Sequence, residues 1–137
     1  MRILQPPGWP RPKGYSNGVE ASGRMVFVAG QIGWDAQGRF APDFAGQFEQ
    51  TLRNIVAVLA EAGLGPGHLV RMTWYVTDKD AYVRDLPRVG AIYREIIGRN
   101  YPAMAVVMVA GLVEDEALVE IEATAMGPAQ ADDVAAA

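Results

Sequence analysis

Apolar positions change their spacing several times along the chain, and each change marks an element. Across residues 43–62, Phe44, Phe48, Leu52, Ile55, Val56 and Leu59 recur at helical spacing, which turns one stripe toward a core. Asp43 suits the N-cap of that helix, and Gly63 suits its stop. A second helix is expected over about residues 85–97, with Pro87 tolerated in its first turn and Gly98 at its end. Residues 16–21 and 25–30 read as short strands joined at Ser22-Gly23, a hairpin turn signal. Residues 69–76 (LVRMTWYV) are rich in β-branched and aromatic side chains, as strands are. Two more strands, residues 103–109 and 118–126, flank a charged turn at Glu114-Asp115-Glu116.

The expected order is ββαβαββ. Helices that return the chain to one sheet pack on the same face of it. The other face then needs a cover. In the strand at 103–109, Met104, Val106 and Met108 alternate with Ala103, Ala105, Val107 and Val109, so both sides are apolar. The strand at 69–76 reads similarly, with Met72 and Trp74 opposite Leu69, Thr73 and Tyr75. An exposed face this apolar marks an interface, and self-association is the economical reading.

Length and composition narrow the class. A chain of 137 residues, half of them hydrophobic and a fifth charged, suits one globular domain, expected over residues 1–127. The tail at 128–137 lacks a hydrophobic period and is expected to fray. Net charge is −4, and no basic run interleaves with aromatics, so no nucleic-acid partner is expected. There is no cysteine, which removes thiol nucleophiles, disulfides and thiolate metal sites. His68, the single histidine, stands beside Gly65-Pro66-Gly67. It reads as a loop residue, since a zinc site needs three or four ligands. No metal and no cofactor are expected. The first fourteen residues hold four prolines and three basic residues without an apolar core, unlike a secretory signal. No stretch is long enough to span a bilayer, so the expectation is a cytoplasmic protein without a membrane partner.

Five short motifs in order resemble the RidA/YjgF family. They are Gly14-Tyr15-Ser16, Val28-Ala29-Gly30-Gln31-Ile32-Gly33, Gln50-Thr51-Leu52-Arg53-Asn54-Ile55, Tyr101-Pro102-Ala103 and Val119-Glu120-Ile121-Glu122-Ala123-Thr124-Ala125. The resemblance implies an α+β, chorismate-mutase-like fold, with one mixed sheet and two helices on one face. It also implies a homotrimer with a central β-barrel and three small-molecule clefts between subunits. The implied chemistry is cofactor-free hydrolysis of imines and enamines such as 2-aminoacrylate to ketoacids and ammonia; other relatives act on 2-aminomuconate or were labelled endoribonucleases.

The departures bear on specificity. The family's carboxylate-clamping arginine is replaced here by Met104, its Ser-Gly-Gln serine by Ala29, and a nearby cysteine by Val106. A thioether in place of a guanidinium removes a full charge and five donors. By resemblance Glu120 is the catalytic acid or base, working on a C=N bond whose protonation makes the carbon electrophilic. The alternative is a solvated strand glutamate. Glu120 and Glu122 share a face roughly 7 Å apart. Tyr15, Ala29, Gln31, Met104 and Val106 are the expected substrate-binding positions. Tyr15 can equally anchor the N-terminal segment, and Gln31 can merely satisfy backbone groups. Asn54 reads as structural. Trp34, Trp74 and Tyr75 are core, interface or pocket aromatics. Arg71, Arg88 and Arg94 are candidate substitute cations that otherwise read as surface charges.

Three functions follow in order. The first is a deaminase or hydrolase acting on an imine, enamine or aminomuconate-like conjugated amine. The second is a trimeric binding module that kept the cleft without the catalysis. An endoribonuclease comes third, because acidic charge and a single histidine give it little physical support.

Overall fold

A computed structural model describes residues 1–129. Strands β1 (Arg2–Leu4), β2 (Gly18–Glu20) and β3 (Arg24–Ile32) precede helix α1 (Phe44–Glu61). After a 3-10 turn at Pro66–His68 come β4 (Leu69–Val76), α2 (Lys79–Arg84), α3 (Leu86–Ile96), β5 (Ala103–Met108) and β6 (Val119–Gly127). The main sheet is mixed, in the order β3-β6-β4-β5, with β4 and β5 parallel and the other pairs antiparallel. Both long helices were legible, and α1 and α3 pack on one another along one face of the sheet. This is the α+β architecture expected.

The helix ends follow their sequence signals. The Asp43 carboxylate accepts from the Gly46 N–H at 3.1 Å, satisfying one donor that the helix leaves free. Gly63 takes φ of +72° just past the C-cap, a conformation that costs a side-chain-bearing residue more than glycine. One face of α1 supplies Phe44, Phe48, Leu52, Ile55 and Leu59 to the core, where they meet Met72, Trp74, Val119 and Ile121 from the sheet.

Three details differ from expectation. Strand β2 does not form a ladder with β3; it pairs with β1, in the register Arg2↔Glu20 and Leu4↔Gly18. Gly23 (φ +132°) instead packs on the Gly127 carbonyl at the end of β6, so the Ser22-Gly23 turn redirects the chain without closing a hairpin. The main sheet therefore has four strands, with a separate two-stranded ribbon. A short helix, α2, precedes α3; the Asp78 carboxylate caps it by accepting from the Ala81 N–H. Finally, Leu69 is buried with the core, because a register shift between Leu69 and Arg71 returns it to the helix side. Of the expected tail, residues 130–137 lie outside the described residues.

The sheet face away from the helices is less uniformly apolar than the alternation suggested. Its two middle strands present Arg71, Thr73 and Tyr75 (β4) and Glu120, Glu122 and Thr124 (β6), whereas its edge strands present Met25 and Phe27 (β3) and Ala105 and Val107 (β5). Phe27 is 71% exposed and Met25 52%, so the unmet apolar surface lies along the edges.

Candidate functional site

Strand parity divides the expected site residues into two groups. Alternation buries Val119 and Ile121, and with that it turns Glu120 and Glu122 to the open face. Glu122 has a partner there: the Tyr75 hydroxyl donates to its carboxylate at 2.8 Å. That bond, more than partial desolvation, raises the Tyr75 pKa above the ordinary phenol value. Glu120 is half-buried and has no side-chain hydrogen bond among the described residues. Its carboxylate lies over Gly30, where a Cβ would stand only 2.6 Å from Oε2. Glycine is needed at residue 30 for this close approach and not for an unusual φ.

A β-bulge between Val28 and Gln31 shapes the same corner. It leaves Ala29 exposed on the open face, beside a hollow of about 440 Å³ that Phe27, Arg71, Thr73 and Glu122 also line. Past the bulge, Gln31 pairs with Ile121 and Ile32 with Glu120. Gln31 is therefore on the face of Ile121, not that of Glu120, and its amide donates to the Ala29 carbonyl at 3.2 Å. The local backbone contact, one of the two readings for Gln31, is present.

Met104 and Val106 belong to the other face. They register with Met72 and Trp74 and pack against the core. Met104 lines a second pocket, of about 220 Å³, with Trp74, Tyr82, Tyr93 and Tyr101. Tyr93 stacks on Tyr101 with centroids 5.5 Å apart, and its hydroxyl donates to the Asn100 carbonyl at 2.5 Å. Burial, and secondarily Tyr101, pushes its pKa far up. The Trp74 indole N–H is buried and has no hydrogen-bond partner among the described residues. Tyr15 is 40% exposed and follows Gly14, which lines this pocket, without lining it itself. Its neighbour Ser16 is buried and tied to the start of β5: its N–H donates to the Pro102 carbonyl at 3.1 Å and its hydroxyl to the Tyr101 carbonyl. Lys13 and Gly14 reach the pocket wall.

The candidate cations separate equally clearly. Arg88 is bound to Asp43 at 3.3 Å. Arg71 is on the open face, and Arg94 lines the Met104 pocket. Asn54 is structural, its amide donating to the Ile32 and Trp34 carbonyls, both at 2.9 Å. His68 stays in its turn, where Nδ1 accepts from the Gly65 N–H at 3.0 Å. Gln47 was not singled out from sequence. It is buried, bonding the Ala41 and Glu116 carbonyls and the Leu118 N–H, and so holds the loop before β6 against α1. Its place on the apolar stripe of α1, one residue before Phe48, was the available signal. Among the described residues, no group of three His, Asp or Glu side chains is placed to hold a metal. No described helix is long and apolar enough to cross a membrane.

One protomer thus holds Ala29 and Glu120 on the open face, and Tyr15, Met104 and Val106 around the outer edge and helix side of β5. The sheet separates them.

Comparison with known proteins finds relatives that match most of the chain. A RutC family protein of Pyrococcus horikoshii is 36% identical over 119 residues, covering 85% of this chain and 90% of that protein. TdcF of Escherichia coli, provisionally described as a reactive intermediate deaminase, is 34% identical over 116 residues, 82% of this chain and 85% of its own. A crystal structure of TdcF with bound serine superimposes with a TM-score of 0.66, covering 93% of this chain and 99% of that one at 31% identity. YyfB of Yersinia pestis, a Rid-family protein, superimposes with a TM-score of 0.78 at 34% identity, covering 92% and 98%. The family model described as Endoribonuclease L-PSP matches residues 10–127, and the chain belongs to that family, the RidA/YjgF proteins.

Proposed function

We propose that the protein is a deaminase that adds water across the C=N bond of an imine, enamine-derived imine or conjugated amine. The observation that carries this reading is the state of Glu120. It is a half-buried carboxylate without a hydrogen-bond partner among the described residues, held against Gly30, while Glu122 beside it is occupied by the Tyr75 phenol. A carboxylate so placed can pass a proton to the imine nitrogen and take one from the attacking water. Water adds to the carbon, and the carbinolamine collapses to a carbonyl and ammonia: R₂C=NH + H₂O gives R₂C=O + NH₃.

The reading includes assembly. Glu120 and Met104 face opposite sides of one sheet, so a substrate touching both must lie between two copies. The apolar edges at Phe27 and Val107, around a polar middle, support closure of several sheets into a barrel with a polar interior. A homotrimer with intersubunit clefts is the proposed state. The name of TdcF supports the class of reaction but not the substrate. Met104 argues against tight binding of a short imino acid through the position where relatives are read to carry arginine.

The test compares the parent with Glu120→Gln, which keeps shape and hydrogen bonding but cannot take a proton. Ammonia release over a panel of imines should fall by about 10²-fold or more, while both proteins sediment near three times 14.8 kDa. Equal rates clear Glu120 of the role. A monomer at micromolar concentration removes the intersubunit cleft. Absence of ammonia from every substrate favours the second reading, a binding trimer.

A further inference from the structure

The pocket beside Met104 has a composition that goes beyond the proposed reaction. Trp74, Tyr82, Tyr93 and Tyr101 bring four aromatic rings to its wall, and Leu86, Val89 and Met104 complete an apolar interior. Its volume, about 220 Å³, exceeds the roughly 150 Å³ apolar cavity that suffices for a benzene ring. One ring with a short side chain fits within it. Tyr93 and Tyr101 are nearly parallel, at 12°, and Trp74 lies 6.2 Å from Tyr93. A flat guest continues that array.

The charged groups are one-sided. The chain has 16 acidic residues against 12 basic ones, yet the pocket lining contains Lys13 and Arg94 and no carboxylate. Among the described residues, neither cation has a carboxylate within salt-bridge distance, whereas Arg2, Arg39, Arg53 and Arg88 all do. Arg94 is also held over the pocket by its own helix. Its side chain folds back one turn, as long helical side chains do, and Nη1 comes to 3.4 Å from the point where a Cβ on Gly90 would be. Gly90 has no side chain there, so the guanidinium settles along the turn and joins Gly90 in the lining.

We infer that this pocket takes the ring or branched apolar body of a carboxylic acid, with Arg94, assisted by Lys13, binding the carboxylate at the rim. This deepens the proposed function, since Met104 belongs to both: the substrate class becomes an imine with a bulky apolar body, its anionic group set away from the reacting carbon. The charge missing at residue 104 is supplied from α3, on the opposite wall of the pocket.

The experiment is calorimetric titration of the assembled protein at fixed ionic strength with 3-phenylpropionate, 3-phenylpropanamide and acetate. Phenylpropionate should bind, the neutral amide roughly tenfold more weakly, in line with one hydrogen-bonded charge, and acetate not detectably. Arg94→Gln should remove most of the preference for the acid, leaving only the share that Lys13 supplies, and leave the amide unchanged; Arg94→Lys should recover part of the preference. Arg94 is exposed, so these variants should fold as the parent does. The inference is overturned if acid and amide bind the parent equally, if neither binds, if acetate matches phenylpropionate, or if Arg94→Gln keeps the preference undiminished. Binding is read without turnover. Selective binding with no ammonia from any imine would keep the pocket assignment and sink the deaminase, and the reverse result would do the opposite.

Discussion

Replacing Gly30 by alanine separates the position of the Glu120 carboxylate from its presence. A Cβ at residue 30 would lie 2.6 Å from Oε2, 2.8 Å from Cδ and 3.1 Å from Cγ of Glu120. Ordinary contact begins near 3.4 Å, so Oε2 must retreat by about 0.8 Å (3.4 − 2.6). Residue 30 has no positive φ, and alanine fits its backbone. The displaced group is the far end of a flexible side chain, so an off-rotamer Glu120 costs about 0.5–1.5 kcal/mol. Alanine returns about 0.5–1 kcal/mol over glycine inside a strand. These nearly cancel, and the melting temperature should stay within about 4 °C of the parent. Catalysis is less forgiving, because a misplacement near 1 Å can cost about 10²-fold. Turnover should therefore fall by about 30- to 100-fold while thermal denaturation and sedimentation hardly change. Ammonia release and differential scanning calorimetry on the same preparations decide it. Parent-like turnover in a stable Gly30→Ala protein would refute the argument that Glu120 must be held where it is.

Two further predictions concern the frame around the site. Gln47→Leu keeps approximate volume but leaves the Leu118 N–H and two carbonyls without their side-chain partner, and should destabilise by about 2–4 kcal/mol in urea denaturation; a loss under about 1 kcal/mol would show that water replaces the amide. Tyr93 holds its proton well above the ordinary phenol range, whereas unfolded tyrosines ionise near pH 10. Above that pH the unfolded chain has lost a proton that the folded one keeps, so stability should fall as pH rises from about 9 through 11. Tyr93→Phe should start less stable, having lost its bond to the Asn100 carbonyl, yet show a shallower alkaline decline; equal slopes would contradict the assigned cause.

What was legible in the sequence was periodicity with strong punctuation. Helix α1 carries an uninterrupted stripe between Asp43 and Gly63, and both ends fall within a residue of expectation. What was not legible depended on partners distant in the chain. Strand β1 is three residues long, too short for any period, and it exists because β2 pairs with it. The bulges at Val28/Gln31 and Leu69/Arg71 each shift parity by one residue, which moves Gln31 and Leu69 to the helix side. Simple alternation has no means of registering that. The pairing of Glu122 with Tyr75 was similarly hidden, since the two are 47 residues apart and meet only through the β4–β6 register. Only after that pairing is known do the two glutamates differ physically.

Strand order explains why the expected site residues fall on two faces. The sheet runs β3-β6-β4-β5, so Glu120 on β6 is separated from Met104 on β5 by the whole of β4. Along β4 the residue opposite Glu120 is Tyr75, and the residue opposite Met104 is Met72. Positions 72 and 75 differ by an odd number, so they point to opposite sides. No rotamer change brings the two groups together, since a helix-packed sheet lies between them. A substrate that needs both would therefore use the Glu120 of one copy and the Met104 pocket of another, as in the proposed trimer, for which the apolar edges at Phe27 and Val107 offer joining surfaces. That requirement also fixes where a bulky acid fits best. In the proposed trimer its reacting end would cross the interface to reach Glu120, while its body and carboxylate stay among Tyr93, Tyr101 and Arg94 of the subunit that holds it.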